Sequence, residues 1–136
     1  MIKNIVAVDV YVSDQDKALD FYEHTLDFEK VADETWDGIR WIEVAPAKDQ
    51  QTTLTLLNPL DFDLSEDHIG RDTNVAFETD DIHTTYQELK KQSVRFKWQP
   101  KQSSTQNWDC QFCDQDNNTF LLVQYFRPQG RHPVKE

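Results

Sequence analysis

Valines at 6, 8, 10 and 12 alternate with Ala7, Asp9 and Tyr11 along the stretch 5–12. A period of two in a run rich in β-branched residues predicts a strand with one apolar face. Ser13 or Asp14 can cap the next segment, where Ala18, Leu19, Phe21, Tyr22 and Leu26 recur at helical spacing through Leu26. Asp27 suits a left-handed turn in place of glycine. Strands are then expected over 28–34, 38–45 and 51–57, giving the order β-α-β-β-β. The stretch 58–71, with Pro59, Asp61, Asp63, Glu66 and Asp67, reads as a polar connector. Beyond it the pattern restarts. Residues 74–79 read as a strand, Asp80 or Asp81 as a cap, and Ile82, Thr85, Tyr86 and Leu89 as a helical stripe ending near Ser93. Further strands are expected over 94–98, 107–113 and 119–126.

A shift of 67 residues lays Ala7 on Asn74, Val8 on Val75, Val10 on Phe77, Asp14 on Asp81 and Tyr22 on Leu89. This register implies an internal duplication of a β-α-β-β-β module. The expected organisation is one domain over 1–136: a first module at about 3–58, a connector at 59–71, a second module at about 72–126 and a tail at 127–136. One copy alone buries too little of its sheet, so the copies should pack together or with those of a second chain. The tail, Arg127-Pro128-Gln129-Gly130-Arg131-His132-Pro133 and onward, is expected either to dangle or to clasp a neighbour.

Composition narrows the partners. The chain has 136 residues, 14 Lys and Arg against 25 Asp and Glu, and a net charge of −11. Such a balance repels nucleic acid and anionic membrane surfaces. No apolar run approaches the roughly 20 residues that cross a bilayer, and the apolar run ending at Asp9 is too short for a signal peptide. A cytoplasmic protein is the expectation. Cys110 and Cys113 form a C-x-x-C, but with no second pair and in a run that reads as a strand, where residues three apart face opposite sides, they read as structural. Three glycines, at 38, 70 and 130, leave no Gly-rich phosphate loop, and no nucleophile elbow is present.

Several segments together carry a resemblance: Val12-Ser13-Asp14 with Ala18 and Phe21-Tyr22; Leu26-Asp27-Phe28; Val75-Ala76-Phe77-Glu78-Thr79-Asp80-Asp81; and Phe112-Cys113-Asp114-Gln115-Asp116-Asn117-Asn118, close to F-x-D-P-D-G-N. Over about residues 3–126 the chain resembles the vicinal oxygen chelate superfamily, which includes glyoxalase I, extradiol dioxygenases, fosfomycin-modifying enzymes and bleomycin-resistance proteins. The resemblance implies an α+β fold, two tandem βαβββ modules forming curved mixed sheets around a cup, and a homodimer at this chain length. It also places the metal ligands of the family's metalloenzymes at Ala7, Thr55, Asn74 and Leu121. Ala7 and Leu121 have no side-chain donor, and Thr55 and Asn74 are weak neutral ligands. The expectation is therefore no metal and no cofactor.

Alternation puts Asp9 and Tyr11 on the face of Ala7, and Glu78 on the face of Asn74. Asp9 and Glu78 then either line the cup, giving it negative charge suited to a cationic ligand, or end in solvent. Trp41 and Trp108 occupy comparable places in the two modules and serve either as cup walls that stack a flat ligand or as core and dimer packing. Arg40 should lie opposite Trp41, and Arg40 or Glu43 could anchor a ligand or pair at the surface. His24, His68, His83 and His132 show no paired donor spacing. The leading expectation is a metal-free binding protein that holds a small, flat or cationic, antibiotic-like molecule through Asp9, Tyr11, Trp41, Thr55, Asn74, Glu78, Trp108 and Leu121. Its rival is a metal-dependent enzyme of glyoxalase or dioxygenase type with a displaced site using Asp9, Glu78, Glu43 or His68. A protein-interaction module using the acidic surface is the third class.

Overall fold

The β-branched run near the N-terminus forms β1 (Ala7–Tyr11), and Asp14 caps α1 (Gln15–Asp20) by accepting the Lys17 amide at 3.0 Å. The helix continues into one wider π-helical turn, Phe21–Thr25, closed by the Leu26 amide on the Phe21 carbonyl at 3.1 Å. Asp27, at φ 61°, then makes the left-handed turn expected of it. Three strands follow: β2 (Glu29–Trp36), β3 (Ile39–Ala45) and β4 (Thr53–Leu57). The connector holds two short 3-10 turns, Pro59–Phe62 and Glu66–His68. The second copy comprises β5 (Asp72–Glu78), α2 (Ile82–Lys91), β6 (Phe96–Gln102), β7 (Trp108–Cys113) and β8 (Thr119–Gln124). This computed structural model describes residues 1–127; the tail expected from Pro128 on, with His132, lies outside the described residues.

The two copies share one topology. The sheets run β1-β4-β3-β2 and β5-β8-β7-β6, with β1 parallel to β4, β5 parallel to β8 and every other pairing antiparallel. These are the two tandem βαβββ modules of an α+β fold. The described residues divide into two compact units, Met1–Arg71 with Gln115–Asn118, and Asp72–Asp114 with 119–127. Among the described residues no helix is long and apolar enough to cross a membrane.

Three element ends differ from expectation for local reasons. β2 runs on through Trp36 because Asp37 and Gly38, both at positive φ (52° and 79°), form a two-residue hairpin turn that pairs Trp36 with Ile39. β6 continues through Pro100 to Gln102; it is the outer strand of its sheet, where a missing amide breaks no central ladder. β5 starts early and bulges, since Asp72 pairs with Thr119 while Ala76 pairs with Leu121, and Asn74 inside the bulge takes φ 59°.

In the first unit Val10, Val12, Ile42, Val44, Leu54 and Leu56 are buried with Ala18 and Tyr22 of the helical segment. The sheet ends are tied to α1 by Gln15, whose Nε2 donates to the Arg40 and Leu56 carbonyls at 2.8 and 2.9 Å. In the second unit Ile82, Leu89, Cys110, Phe112, Phe120 and Leu122 are buried, and Phe77, Phe112 and Phe120 stack with centroids 5.1–6.2 Å apart. Both cysteines are buried and unpaired, and burial, reinforced by Asp109, pushes the Cys110 thiol up to about 12.

Candidate ligand-binding face

Strand register decides which side chains share a face. In the first sheet Asp9 pairs with Thr55, Thr55 with Glu43, and Tyr11 with Leu57. With alternation, Asp9, Tyr11, Trp41, Glu43, Thr53, Thr55 and Leu57 therefore occupy the face away from α1. Arg40 lies on the opposite face, as expected, where its guanidinium donates to Asp33 at 2.9 and 2.8 Å and to Asp16 at 2.7 Å. It is a clamp between α1, β2 and β3, and it lies away from the candidate face.

The candidate face is graded from dry to wet. Thr53, Thr55 and Leu57 on the inner strand β4 are buried, Tyr11, Trp41 and Glu43 are half-buried, and Asp9 is exposed on the edge strand β1. Thr53 Oγ1 donates to Glu43 Oε1 at 3.1 Å, holding that carboxylate against the sheet. Burial and the nearby Asp9 charge raise the Tyr11 phenol above its ordinary value, so at neutral pH it carries its proton and can donate. The connector lays two rings on this surface: His68 meets Tyr11 edge-on at 5.8 Å, and Phe62 meets Trp41 edge-on at 5.5 Å. Trp36 also approaches Trp41, with ring centroids 6.4 Å apart. Phe62 and His68 belong to a connector without periodicity, and no pattern in the sequence points to their side of the sheet. Trp36 could have been placed had the Asp37-Gly38 pair been read as a hairpin turn.

The second unit corrects the expected placement of Trp108. Trp108 pairs with Gln124 and shares its face with Cys110 and Phe112, the face covered by α2, where His83 lies against it at 4.7 Å. It also lines a cavity of about 420 Å³ with Gln102, Gln124 and Phe126. The face away from α2 holds Ala76, Glu78, Leu121, Val123, Asp109, Gln111 and Trp98. Its tryptophan is Trp98, whose Nε1 donates to Asp109 Oδ1 at 2.8 Å while Lys101 covers the ring at 4.7 Å. The physical cause is a single-residue slip: the 67-residue shift holds through β1 and β5 but changes by one after the helices, which turns every later side chain to the other face. Asn74, expected to share a face with Glu78, sits in the β5 bulge, where strict alternation ends. Glu78 is exposed and ion-paired with Arg127.

The positions assigned to metal ligands do not fit a metal. Ala7 and Leu121 offer no donor, Thr55 is packed within the first sheet, and Asn74 lies on a bulge. Among the described residues no three His, Cys, Asp or Glu side chains are grouped to hold an ion. Asp9 and Glu43 lie in the first unit and Glu78 in the second.

The last motif, Asp114 to Asn118, is structural. Buried Asn118 donates from Nδ2 to the Tyr11 carbonyl at 3.0 Å and accepts from the Gly70 and Arg71 amides at 2.8 and 3.3 Å. Asp116 accepts from the Ser13 amide and hydroxyl at 2.9 and 2.7 Å. Gly70, at φ 81°, leaves room here: a Cβ would lie 3.1 Å from the Asp116 carbonyl oxygen. The motif thus fixes the end of β1 and of the connector, the two segments that present Tyr11 and His68.

Comparison with known proteins agrees with this architecture. The model of the Glyoxalase/Bleomycin resistance protein/Dioxygenase superfamily matches residues 4–122. The uncharacterized protein YetH of Bacillus subtilis (strain 168) is 37% identical over 123 residues, covering 90% of this chain and 98% of YetH. A crystal structure of a superfamily member from Sphaerobacter thermophilus DSM 20745 aligns with a TM-score of 0.82 at 36% identity, over 90% of this chain and 98% of that one. TnmS3, an antibiotic binding protein from Streptomyces sp. CB03234, aligns with a TM-score of 0.76 at 29% identity, over 92% and 98% of the two chains. With its duplicated βαβββ topology and a family match over nearly all of the described residues, the chain belongs to the Glyoxalase/Bleomycin resistance protein/Dioxygenase superfamily.

Proposed function

We propose that this chain is a metal-independent binding protein that holds a small, planar, cationic molecule of antibiotic type on the candidate face of its first module. The observation that carries this reading is the convergence there of Trp41, Phe62, Trp36 and Tyr11 with the carboxylates of Asp9 and Glu43. Aromatic rings supply flat apolar area and a negative π face, and an exposed Asp9 with a half-buried Glu43 supplies charge without the cost of full burial. The likeness to an antibiotic binding protein supports the substrate class. The same reading assigns the chain to homodimers, because Ile5 and Val6, immediately before edge strand β1, are 71% and 69% exposed. A second copy is the natural cover for such an edge.

The test is calorimetric titration with proflavine, a planar cation, and with bleomycin. Saturable binding of at least one is expected, weakened about tenfold or more in Trp41→Ala, a loss of about 1.4 kcal/mol. Asp9→Asn should flatten the salt dependence of that binding. An absence of saturable heat from both compounds, or equal affinity in Trp41→Ala, would overturn the proposal.

A further inference from the structure

Charge along the chain is sharply segregated. From Leu89 to Trp108 there are five basic residues, Lys90, Lys91, Arg95, Lys97 and Lys101, and no Asp or Glu. That segment carries +5, so the remainder of a chain of net charge −11 carries −16. Lys91 pairs with Glu88 at 3.4 Å, Lys101 lies over the Trp98 ring at 4.7 Å, and Lys90 lies over the Tyr86 ring at 6.0 Å. Lys90, Arg95 and Lys97 are exposed and make no ion pair with a described residue. All three line one cavity of about 440 Å³ in the second unit, together with Ser93 and the apolar residues Val94, Phe96 and Cys113.

At the C-terminus of α2 the Leu89 carbonyl accepts from the Gln92 and Val94 amides and the Lys90 carbonyl accepts from the Ser93 amide. Ser93 makes that closure at φ 67°, the left-handed position of a helix stop. Three like charges held around one concavity repel each other and gain when an anion enters.

We propose that this cavity is a second binding site, selective for a small organic oxyanion, a carboxylate or phosphate group carried on an apolar body. Arg95 offers a planar fork for two oxygens, Lys90 and Lys97 add point charges, and Ser93 adds a neutral donor. Val94 and Phe96 receive the apolar body. The site is independent of the cation-binding face and has the opposite charge preference.

Amide chemical-shift mapping of the full chain tests this at fixed ionic strength with three probes: inorganic phosphate, benzoate and phenyl phosphate. Expected are saturable shifts at residues 93–97 for benzoate or phenyl phosphate, with weaker binding of inorganic phosphate, which has no apolar body. The one that binds more tightly of benzoate and phenyl phosphate identifies the headgroup. Arg95→Gln combined with Lys97→Gln, both exposed positions, should weaken that binding about tenfold or more while leaving the dispersion of the spectrum intact. The proposal is overturned if no saturable shift centres on 93–97, if chloride at equal ionic strength reproduces the shifts, or if the double variant binds as the parent does.

Discussion

Single side chains explain how a face of this kind is held in order. Arg40 reaches Asp33 and Asp16 together, and the guanidinium beside Asp33, through its hydrogen bonds first, holds that carboxyl below the usual carboxylate range. Because the folded value lies below the unfolded one, the contribution of this pair is complete above about pH 4. It is lost as pH falls through the lower folded value. Asp33→Asn should therefore lower the melting temperature at pH 7 and cost progressively less below pH 4. Thermal unfolding of both proteins from pH 2.5 to pH 7 checks this; parallel curves across the range would contradict it. Arg40 was readable as facing away from Trp41 by alternation alone, but its partners Asp16 and Asp33 come from other elements, and no local pattern names them.

At the scale of elements, periodicity and caps announced both helices, all eight strands and the left-handed turn at Asp27. Failures came where the chain leaves a strict period. The bulge at Asn74 and the shifts within β6 break the two-residue repeat, and one slip was enough to put Trp108 on the helix-covered face and Trp98 on the other. The same scale shows why the Asp114–Asn118 motif matters: its turn holds the end of β1 and the connector through Asn118. Asn118→Ala leaves the Gly70 and Arg71 amides and the Tyr11 carbonyl without this partner, and should cost about 2–3 kcal/mol of stability. Urea unfolding measures the loss. A cost below about 0.5 kcal/mol would mean that water replaces the side chain fully.

For the whole molecule, the open question that the proposal raises is association. An edge strand preceded by exposed, apolar Ile5 and Val6 invites pairing, whereas the charge of −11 opposes it at low salt. Homodimers are expected to tighten as salt screens that repulsion. Ile5→Ser with Val6→Ser should raise the dimer dissociation constant about tenfold or more. Sedimentation velocity at 50 and 300 mM salt reads both effects, and a parent protein that stays monomeric at either salt would overturn the dimer.

The sequence alone determined the duplicated βαβββ order, the strand–cap–helix register of each copy and the poor donor set at Ala7, Thr55, Asn74 and Leu121. These follow from period, capping and side-chain chemistry, which act between near neighbours along the chain. Tertiary structure alone decided which tryptophan shares a face with which carboxylate, that connector residues Phe62 and His68 lie on Trp41 and Tyr11, and that Lys90, Arg95 and Lys97 surround one cavity. Those outcomes depend on pairing register, bulges and the path of an aperiodic loop, where a displacement of one residue reverses a side chain and leaves the local sequence pattern unchanged.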